Sequence, residues 1–148
     1  MTETLHTLTA KSQIGEAIAR YGHYADHQDW DAILDLFADD AVFDTSTVYG
    51  RQWRGKAELR EFYEGARIAV AHHVTPPVID VADEATAQAQ AKMLVFWRRQ
   101  VFSVDYVWTF VAQDGRWLIA HQSIEIVGRA EFDVASRSSP DSAASGGR

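Results

Sequence analysis

The feature that most constrains the fold of this chain is a change in hydrophobic period near residue 71. Before it, apolar residues recur at the spacing of amphipathic helices; after it, they alternate with a period of two, as in strands with one buried face. Helices followed by a long antiparallel meander predict an α+β fold, in which a curved sheet wraps around the N-terminal helices.

The first half contains three predicted helices. The first spans residues 5–28, the second spans 29–37 with Asp29 as its N-cap, and the third spans 55–70. Their predicted buried faces consist of Ile14, Ala17, Ile18, Tyr21 and Ala25, then Ile33, Leu34 and Phe37, then Leu59, Phe62, Tyr63, Ala66 and Val70.

The remaining segments are predicted strands. Two short ones, 41–44 and 48–53 with a turn at Gly50, lie between the second and third helices. The long ones are expected at 72–81 (entered through prolines), 85–99, 101–111 and 116–127. Asp114-Gly115 is a strong hairpin turn. Because both faces become apolar at Leu94 and Phe96, both are expected to be covered there.

Composition narrows the class of protein. At 148 residues we expect one domain, residues 1–135, followed by a polar and disordered tail, residues 136–148. The absence of cysteine excludes disulfides, thiol nucleophiles and cysteine-ligated zinc. The formal net charge of −7 disfavours nucleic acid as a partner. No segment resembles a signal peptide or a membrane span, so a cytoplasmic location without membrane association is expected.

Four segments carry a family resemblance: residues 21–44, 49–63, 72–75 (HHVT) and 114–124 (DGRWLIAHQSI). Together they resemble the SnoaL-like branch of the nuclear transport factor 2-like superfamily, over nearly the whole chain except the tail. The resemblance implies a cone-shaped barrel, formed by a strongly bent mixed sheet closed by helices, with a deep pocket inside. The superfamily includes dehydratases, a dehydrochlorinase, isomerases, polyketide cyclases and non-catalytic subunits, so fold alone does not fix activity.

The same resemblance implies site residues. In the dehydrochlorinase and dehydratase members, an Asp at the end of the first helix pairs with a His after the third helix, and these positions map to Asp26 and His72. A Tyr found in the bile-acid dehydratase maps to Tyr21. Two departures stand out: Pro76 and Pro77 follow the HHVT segment, and Tyr106-Val107-Trp108 replaces a Tyr-x-Asp pattern, which makes the pocket more aromatic.

Other candidates follow from position on the predicted elements. His72 and His73 lie on opposite faces of a strand, so only one of them faces the pocket easily. Tyr24, Tyr106, Trp108 and His121 are candidate substrate contacts, although core packing explains each of them equally well. His23 and His27 have the spacing of a helical metal pair but lie on the solvent side, so no metal site is predicted.

The leading functional hypothesis is a cofactor-independent lyase of the dehydratase or β-elimination type, acting on a small hydrophobic or aromatic molecule. His72 would abstract a proton, and Asp26 would fix its tautomer and stabilise the imidazolium. Tyr21 or Tyr24 would assist the leaving group or bind a polar substituent. An isomerase or polyketide-type cyclase using the same pair, and a non-catalytic ligand-binding subunit, are the alternatives. A homo-oligomer is expected, with a trimer preferred over a dimer, because the two-sided apolarity near Leu94 needs a cover.

Overall fold

The computed structural model describes residues 3–65 and 69–131. Helices and strands are mixed up to residue 65, and the described residues from 69 to 131 contain strands alone. In chain order the elements are α1 (Leu5–His27), α2 (Trp30–Asp35), β1 (Phe37–Asp44), α3 (Ser46–Tyr49), β2 (Gln52–Arg54), α4 (Gly55–Gly65), β3 (Ala71–Val74), β4 (Val78–Val81), β5 (Thr86–Trp97), β6 (Gln100–Gln113) and β7 (Arg116–Glu131).

Side-chain hydrogen bonds cap the N-termini of the first two helices. The hydroxyl of Thr4 accepts a hydrogen bond from the backbone N–H of Thr7 at the start of α1. The helix ends at Gln28, which adopts a left-handed conformation with φ of 57°. The next residue, Asp29, caps α2 by accepting from the N–H of Ala32 at 3.1 Å, which confirms the predicted N-cap.

The segment from 29 to 54 differs from its prediction at three points. The second helix ends at Asp35, and Phe37 already begins β1, although its side chain is buried as expected. Residues 48–53 do not form one strand, because Ser46–Tyr49 is a short helix. That helix begins where a carboxylate oxygen of Asp44 accepts from the backbone N–H of Ser46.

Helix α4 and the segment after it also depart from expectation. Leu59 and Tyr63 are buried as predicted, but Val70 lies beyond the helix and is 71% exposed. Ala66 and the tail, residues 136–148, lie outside the described residues.

The sheet has seven strands, and its main path runs β2-β1-β7-β6-β5-β3, with β4 also pairing with β5. Only the β1–β7 pair is parallel, so the sheet is mixed and largely antiparallel. The first and last strands of this path do not pair with each other, so the sheet is open rather than a closed barrel. Helix α1 packs against β3, β4 and β7. The α+β class is therefore confirmed.

The predicted strand 72–81 is two strands on the same edge of β5. Strand β3 pairs with residues 93–96 and β4 pairs with residues 87–90. Pro76 and Pro77 fall between them and cannot donate backbone hydrogen bonds, which interrupts the ladder. The backbone N–H of Thr75 still donates to the carbonyl of Lys92 at 2.9 Å, so the connection between β3 and β4 stays along the same edge of β5.

The long hairpin β6–β7 carries two register shifts. The turn at Asp114-Gly115 has positive φ at both residues, as a two-residue hairpin requires. Each shift places one extra residue in β7: Ala120 between the pairs Phe110↔Ile119 and Thr109↔His121, and Val127 near Ser103. An extra residue reverses which side chains face the core. None of the described helices is both long and apolar enough to cross a membrane.

Candidate active site

A cavity of about 370 Å³ lies between helices α1, α3 and α4 and the inner face of the sheet. Its wall is almost wholly apolar. Two of its residues, Tyr49 and Ile126, are 58% and 43% exposed, which places them at the mouth. The lining residues are Tyr21, Ala25, Phe43, Val48, Tyr49, Phe62, Tyr63, Ala69, His72, Val95, Trp97, Phe102, Val104, Tyr106, Ile124 and Ile126.

His72 and Asp26 meet at the edge of this cavity. Atom Nδ1 of His72 lies 2.7 Å from Oδ1 of Asp26, and the backbone N–H of His72 donates to Oδ2 at 3.0 Å. Both carboxylate oxygens are therefore engaged by the same residue. The His72 side chain is 7% exposed and that of Asp26 is 24% exposed, so the pair is only partly screened by water.

Two local features bring the pair together. Asp26 lies in the last turn of α1, where the unpaired carbonyl groups oppose a negative charge and favour a cationic partner. Gly22, one turn earlier, allows α1 to approach β3 closely. A Cβ atom there would lie 3.3 Å from Cγ2 of Val74 and 3.5 Å from the carbonyl oxygen of His72. Glycine therefore sets the spacing on which the short contact depends.

The geometry of the pair fixes what the imidazole ring can do. A carboxylate only accepts hydrogen bonds, so Nδ1 carries the proton in the bond to Asp26. In a neutral ring the other nitrogen, Nε2, is then unprotonated. Nε2 has no hydrogen-bond partner among residues 3–65 and 69–131, and His72 lines the cavity. The ring is thus arranged to take a proton from a bound molecule.

Two tyrosines, with a glutamine and a tryptophan behind them, form a second polar group at the cavity. The hydroxyls of Tyr21 and Tyr63 lie 3.1 Å apart, and Nε2 of Gln122 donates to the Tyr21 hydroxyl at 3.1 Å. Behind them, the indole N–H of Trp108 donates to Oε1 of Gln122 at 2.7 Å. The ring of Tyr21 packs edge-on against Tyr106 with centroids 6.0 Å apart. We call Tyr21, Tyr63, Gln122 and Trp108 the tyrosine cluster.

Burial raises the pKa of these hydroxyls further above neutral pH. Loss of solvation raises the pKa of Tyr21 above its usual value, although its hydrogen bonds with Tyr63 and Gln122 oppose part of the rise. Loss of solvation, followed by the charge of a Tyr21 phenolate, holds the pKa of Tyr63 and of Tyr106 well above the usual range. All three hydroxyls are therefore neutral near pH 7 and can donate a proton.

Some of the residues predicted from sequence come together here. Asp26, His72 and Tyr21 form one site, with the Tyr21 and His72 rings 6.5 Å apart, centroid to centroid. Tyr106 also lines the cavity. His73, on the opposite face of β3, is exposed and packs against Phe96, so His72 is the histidine that faces inward.

Three predicted substrate contacts do not line the cavity. Tyr24 lies on the flank of α1, where its hydroxyl accepts from Arg20. Trp108 is fully buried behind Tyr106, in a stacked contact. His121 was expected on the inner face with Trp117, but the extra residue Ala120 turns it to the outer face, opposite Thr109. There it contributes a minor part of the lowering of the pKa of Asp44, which is mainly due to Ser46.

Sequence reasoning missed two residues of the site. Tyr63 was assigned only to the buried face of its helix, and Gln122 was not singled out. A glutamine within an apolar strand is the one signal that could have indicated Gln122, since a buried amide needs partners. Counting back from the turn would have paired Trp108 with His121, whereas the extra residue pairs it with Gln122.

Within the described part of the chain, no group of three or more histidine and acidic side chains could hold a metal ion. His23 and His27 are joined instead by a hydrogen bond between Nδ1 of His27 and the carbonyl of His23 at 2.8 Å. Asp44 accepts hydrogen bonds from the backbone of Ser46 and from Gln52, which is turn chemistry.

Solved structures of similar fold match almost the whole chain. A candidate aromatic ring hydroxylase from Novosphingobium aromaticivorans is 23% identical, with 84% of this chain and 94% of that one covered and a TM-score of 0.76. A candidate scytalone dehydratase from the same organism is 17% identical, with 87% and 91% covered and a TM-score of 0.74. A hexachlorocyclohexane dehydrochlorinase (LinA, type 2) is 12% identical, with 88% and 93% covered and a TM-score of 0.75.

These identities establish a common fold and do not transfer an activity. A search among curated proteins finds no match. The family model of the SnoaL-like domain, by contrast, matches residues 6–123, which include nearly all of α1, most of the residues that line the cavity and both residues of the Asp–His pair. The chain therefore belongs to the SnoaL-like domain family.

Proposed function

We propose that this protein is a cofactor-independent lyase, of the dehydratase or β-elimination type, acting on a small hydrophobic molecule. The observation that carries the proposal is the 2.7 Å contact between Nδ1 of His72 and Asp26 at the wall of an apolar cavity. An imidazole oriented in this way, whose Nε2 has no partner among the described residues, is the arrangement of a general base. The names of the similar scytalone dehydratase and dehydrochlorinase structures agree with this reaction class.

The proposed elimination balances with the groups present. Nε2 of His72 takes a proton from a carbon, and the electron pair of that C–H bond forms the new double bond. The bond to the leaving group on the neighbouring carbon breaks, and its electron pair departs with that group. When the leaving group is a hydroxyl, the tyrosine cluster supplies its proton and water is released. Asp26 stabilises the imidazolium of His72 until the imidazolium returns the proton to the tyrosinate.

The charge of the lining favours an uncharged substrate. Among the described residues that line the cavity there is no lysine, arginine, aspartate or glutamate. A charged molecule would lose its hydration without gaining a partner. The aromatic rings of Phe43, Phe62 and Phe102 favour flat hydrophobic molecules, and a volume of about 370 Å³ suits one or two rings.

An isomerase or cyclase is the second candidate, because the same base and donor would move a proton between two carbons. Proton NMR in deuterated water separates the reactions when candidate β-hydroxy ketones are supplied. Elimination gives vinyl resonances and a conjugated product, whereas isomerisation or reversible proton transfer incorporates deuterium and retains the hydroxyl. If neither change exceeds the rate without protein across a broad set of such compounds, the protein is a ligand-binding subunit instead.

We also propose that the chain forms a homo-oligomer, with a trimer preferred. Val78, Leu94 and Val107 are 58%, 46% and 43% exposed, and they lie on three neighbouring strands of the outer face of the sheet. Burying them against another copy would remove this apolar surface from water. Light scattering at micromolar concentrations should give three times the chain mass, and Leu94→Asp should lower it. A monomer mass throughout would refute the proposal.

A further inference from the structure

Hydrogen bonds in the tyrosine cluster have a direction, and Trp108 sets it. An indole N–H can only donate, so the Gln122 atom that it meets at 2.7 Å must be the amide oxygen. The amide nitrogen therefore points the other way, to the Tyr21 hydroxyl at 3.1 Å. Trp108 and Gln122 are both fully buried, so water cannot satisfy a reversed amide.

A count of protons shows what this direction leaves for a ligand. Tyr21 and Tyr63 carry two hydroxyl protons, and the bond between them uses one. Because Gln122 donates to Tyr21, neither proton is needed by the amide. One proton therefore remains, on Tyr63 if Tyr21 donates within the pair and on Tyr21 if it accepts. If Tyr106 also joins the pair, it brings one proton and uses one bond, so the remainder is unchanged.

A reversed amide would give the opposite result. Its oxygen would accept the Tyr21 proton, and Tyr63 would then donate to Tyr21. No hydroxyl proton would remain in the pair, which would offer the cavity only lone pairs. The fixed amide of Gln122 thus decides whether this wall of the cavity is a donor or an acceptor.

We propose that Trp108 and Gln122 are positioning residues that keep one tyrosine hydroxyl proton of the Tyr21–Tyr63 pair available to an acceptor oxygen on the ligand. The inference rests on the proposed function for the location of the site, and it narrows the ligand to an oxygenated molecule. A ketone or the hydroxyl of an alcohol meets this requirement. A purely halogenated hydrocarbon does not, because carbon-bound halogens are poor hydrogen-bond acceptors.

The Tyr21–Tyr63 pair and the base lie in the same cavity. The Tyr21 ring lies edge-on to His72 with centroids 6.5 Å apart. A ligand whose oxygen accepts from the pair therefore lies close to His72, and a β-hydroxy ketone is one molecule with both an acceptor oxygen and a neighbouring carbon that can lose a proton.

The experiment measures ligand binding and requires no turnover. Two probes of nearly equal shape are 2-acetylnaphthalene, which has a carbonyl acceptor, and 2-isopropenylnaphthalene, in which a methylene group replaces the oxygen. Fluorescence titration should give the ketone about 3- to 10-fold tighter binding to the wild-type protein, after correction for the water-to-alkane transfer of each probe. The infrared C=O stretch of the bound ketone should lie below its value in an alkane.

Gln122→Glu makes the direction depend on pH. When protonated, the carboxyl group replaces the amide, since one oxygen accepts from Trp108 and the O–H donates to Tyr21. When ionised, it accepts from both and takes the Tyr21 proton. The preference for the ketone should therefore be present at low pH and lost as pH rises, with the C=O stretch moving up. Gln90→Glu, on the exposed outer face of β5, is the matched control and should show no such change.

Two outcomes overturn the proposal. One is equal corrected affinity of the two probes, with an alkane-like C=O stretch, in the wild-type protein. The other is a folded Gln122→Glu protein whose preference does not change with pH. If Gln122→Glu does not fold, the wild-type comparison still decides. A donor preference in a protein that catalyses no elimination would retain this inference and refute only the proposed function.

Discussion

The cavity has two polar groups at its wall that differ in burial and in charge. We call the Asp26–His72 pair the first wall and the tyrosine cluster the second wall. The Asp26–His72 pair joins the end of a helix to an edge strand, and its Asp26 side chain is 24% exposed although that of His72 is only 7% exposed. The tyrosine cluster lies between a helix and the centre of the sheet, and its members are fully buried. One wall can carry charge during a reaction because water and the carboxylate stabilise it, whereas the other is held neutral by burial.

Under the proposed function, this difference separates the base from the acid. The base needs an unprotonated nitrogen, and a proton held on Nδ1 by Asp26 leaves Nε2 in that state. The acid needs a protonated hydroxyl, and burial raises the pKa of Tyr21 and Tyr63 further above neutral pH. The predictions below test each wall separately.

The largest effect is expected from His72→Ala, which removes the base. A positioned general base contributes about 10²–10⁴-fold, so kcat on a substrate identified by the NMR screen should fall at least that far. His73→Ala is the matched control, because His73 is the neighbouring residue on the exposed face of the same strand. Retention of near-full turnover by His72→Ala would mean that another group is the base.

The second-largest loss of turnover is expected from Asp26→Asn. The amide can hold the ring, but it cannot stabilise the imidazolium, and its NH₂ group can favour the wrong tautomer. We expect kcat to fall by about 10²-fold or more. The double variant with His72→Ala should be little worse than His72→Ala alone, because residues that act as a unit fail together. Additive losses would separate the roles of the two residues.

A smaller effect is expected from Gly22→Val, which tests the spacing of the first wall. Its side chain would meet Val74 and the carbonyl of His72, and would push β3 away from α1. A displacement near 1 Å can cost about 10²-fold in turnover, so we expect a loss between about tenfold and that value. Gly15→Val is the control, since its Cβ would lie 3.9 Å from Ile79. Equal losses in both variants would indicate a general effect of valine in α1.

The smallest effect concerns the second wall and alkaline pH. Burial raises the pKa of Tyr63 in the folded state above its unfolded value of about 10. The folded protein therefore holds this proton more tightly, so its stabilising contribution is complete below pH ~10 and is lost as pH rises through the folded value. Tyr63→Phe should lose less thermal stability than wild type between pH 9 and about 11.5. A parallel decline of both Tm values would exclude this linkage.

The two walls also differ in how far sequence could predict them. Asp26 and His72 were assigned from a family resemblance, and hydrophobic periodicity placed them correctly at the end of a helix and the start of a strand. The inner faces of the long strands, from Ala87 to Met93 and from Val104 to Phe110, also followed from alternation. Helices and strands with one buried face can be predicted from sequence, because burial of that face gives their apolar residues a regular spacing.

The position of Gln122 in the second wall depends on a β-bulge, and hydrophobic periodicity in the sequence does not reveal a bulge. The extra residue Ala120 moves Gln122 to the inner face and His121 to the outer one. A bulge changes the parity of every later residue in the strand, so reasoning from alternation assigned the wrong side chain. Likewise, residues Ser46–Tyr49 form a short helix at the cavity mouth, whose first N–H donates to a carboxylate oxygen of Asp44. The β-favouring residues Val48 and Tyr49 had indicated a strand there.

The most direct test of the central claim is the tautomer of His72, measured by ¹⁵N NMR of the imidazole ring at a pH where the ring is neutral. The account predicts a proton on Nδ1, in a short hydrogen bond whose far-downfield ¹H resonance disappears in Asp26→Asn, and an unprotonated Nε2. A ring protonated on Nε2, or a spectrum that Asp26→Asn leaves unchanged, would contradict the claim that Asp26 holds His72 as the base of this cavity.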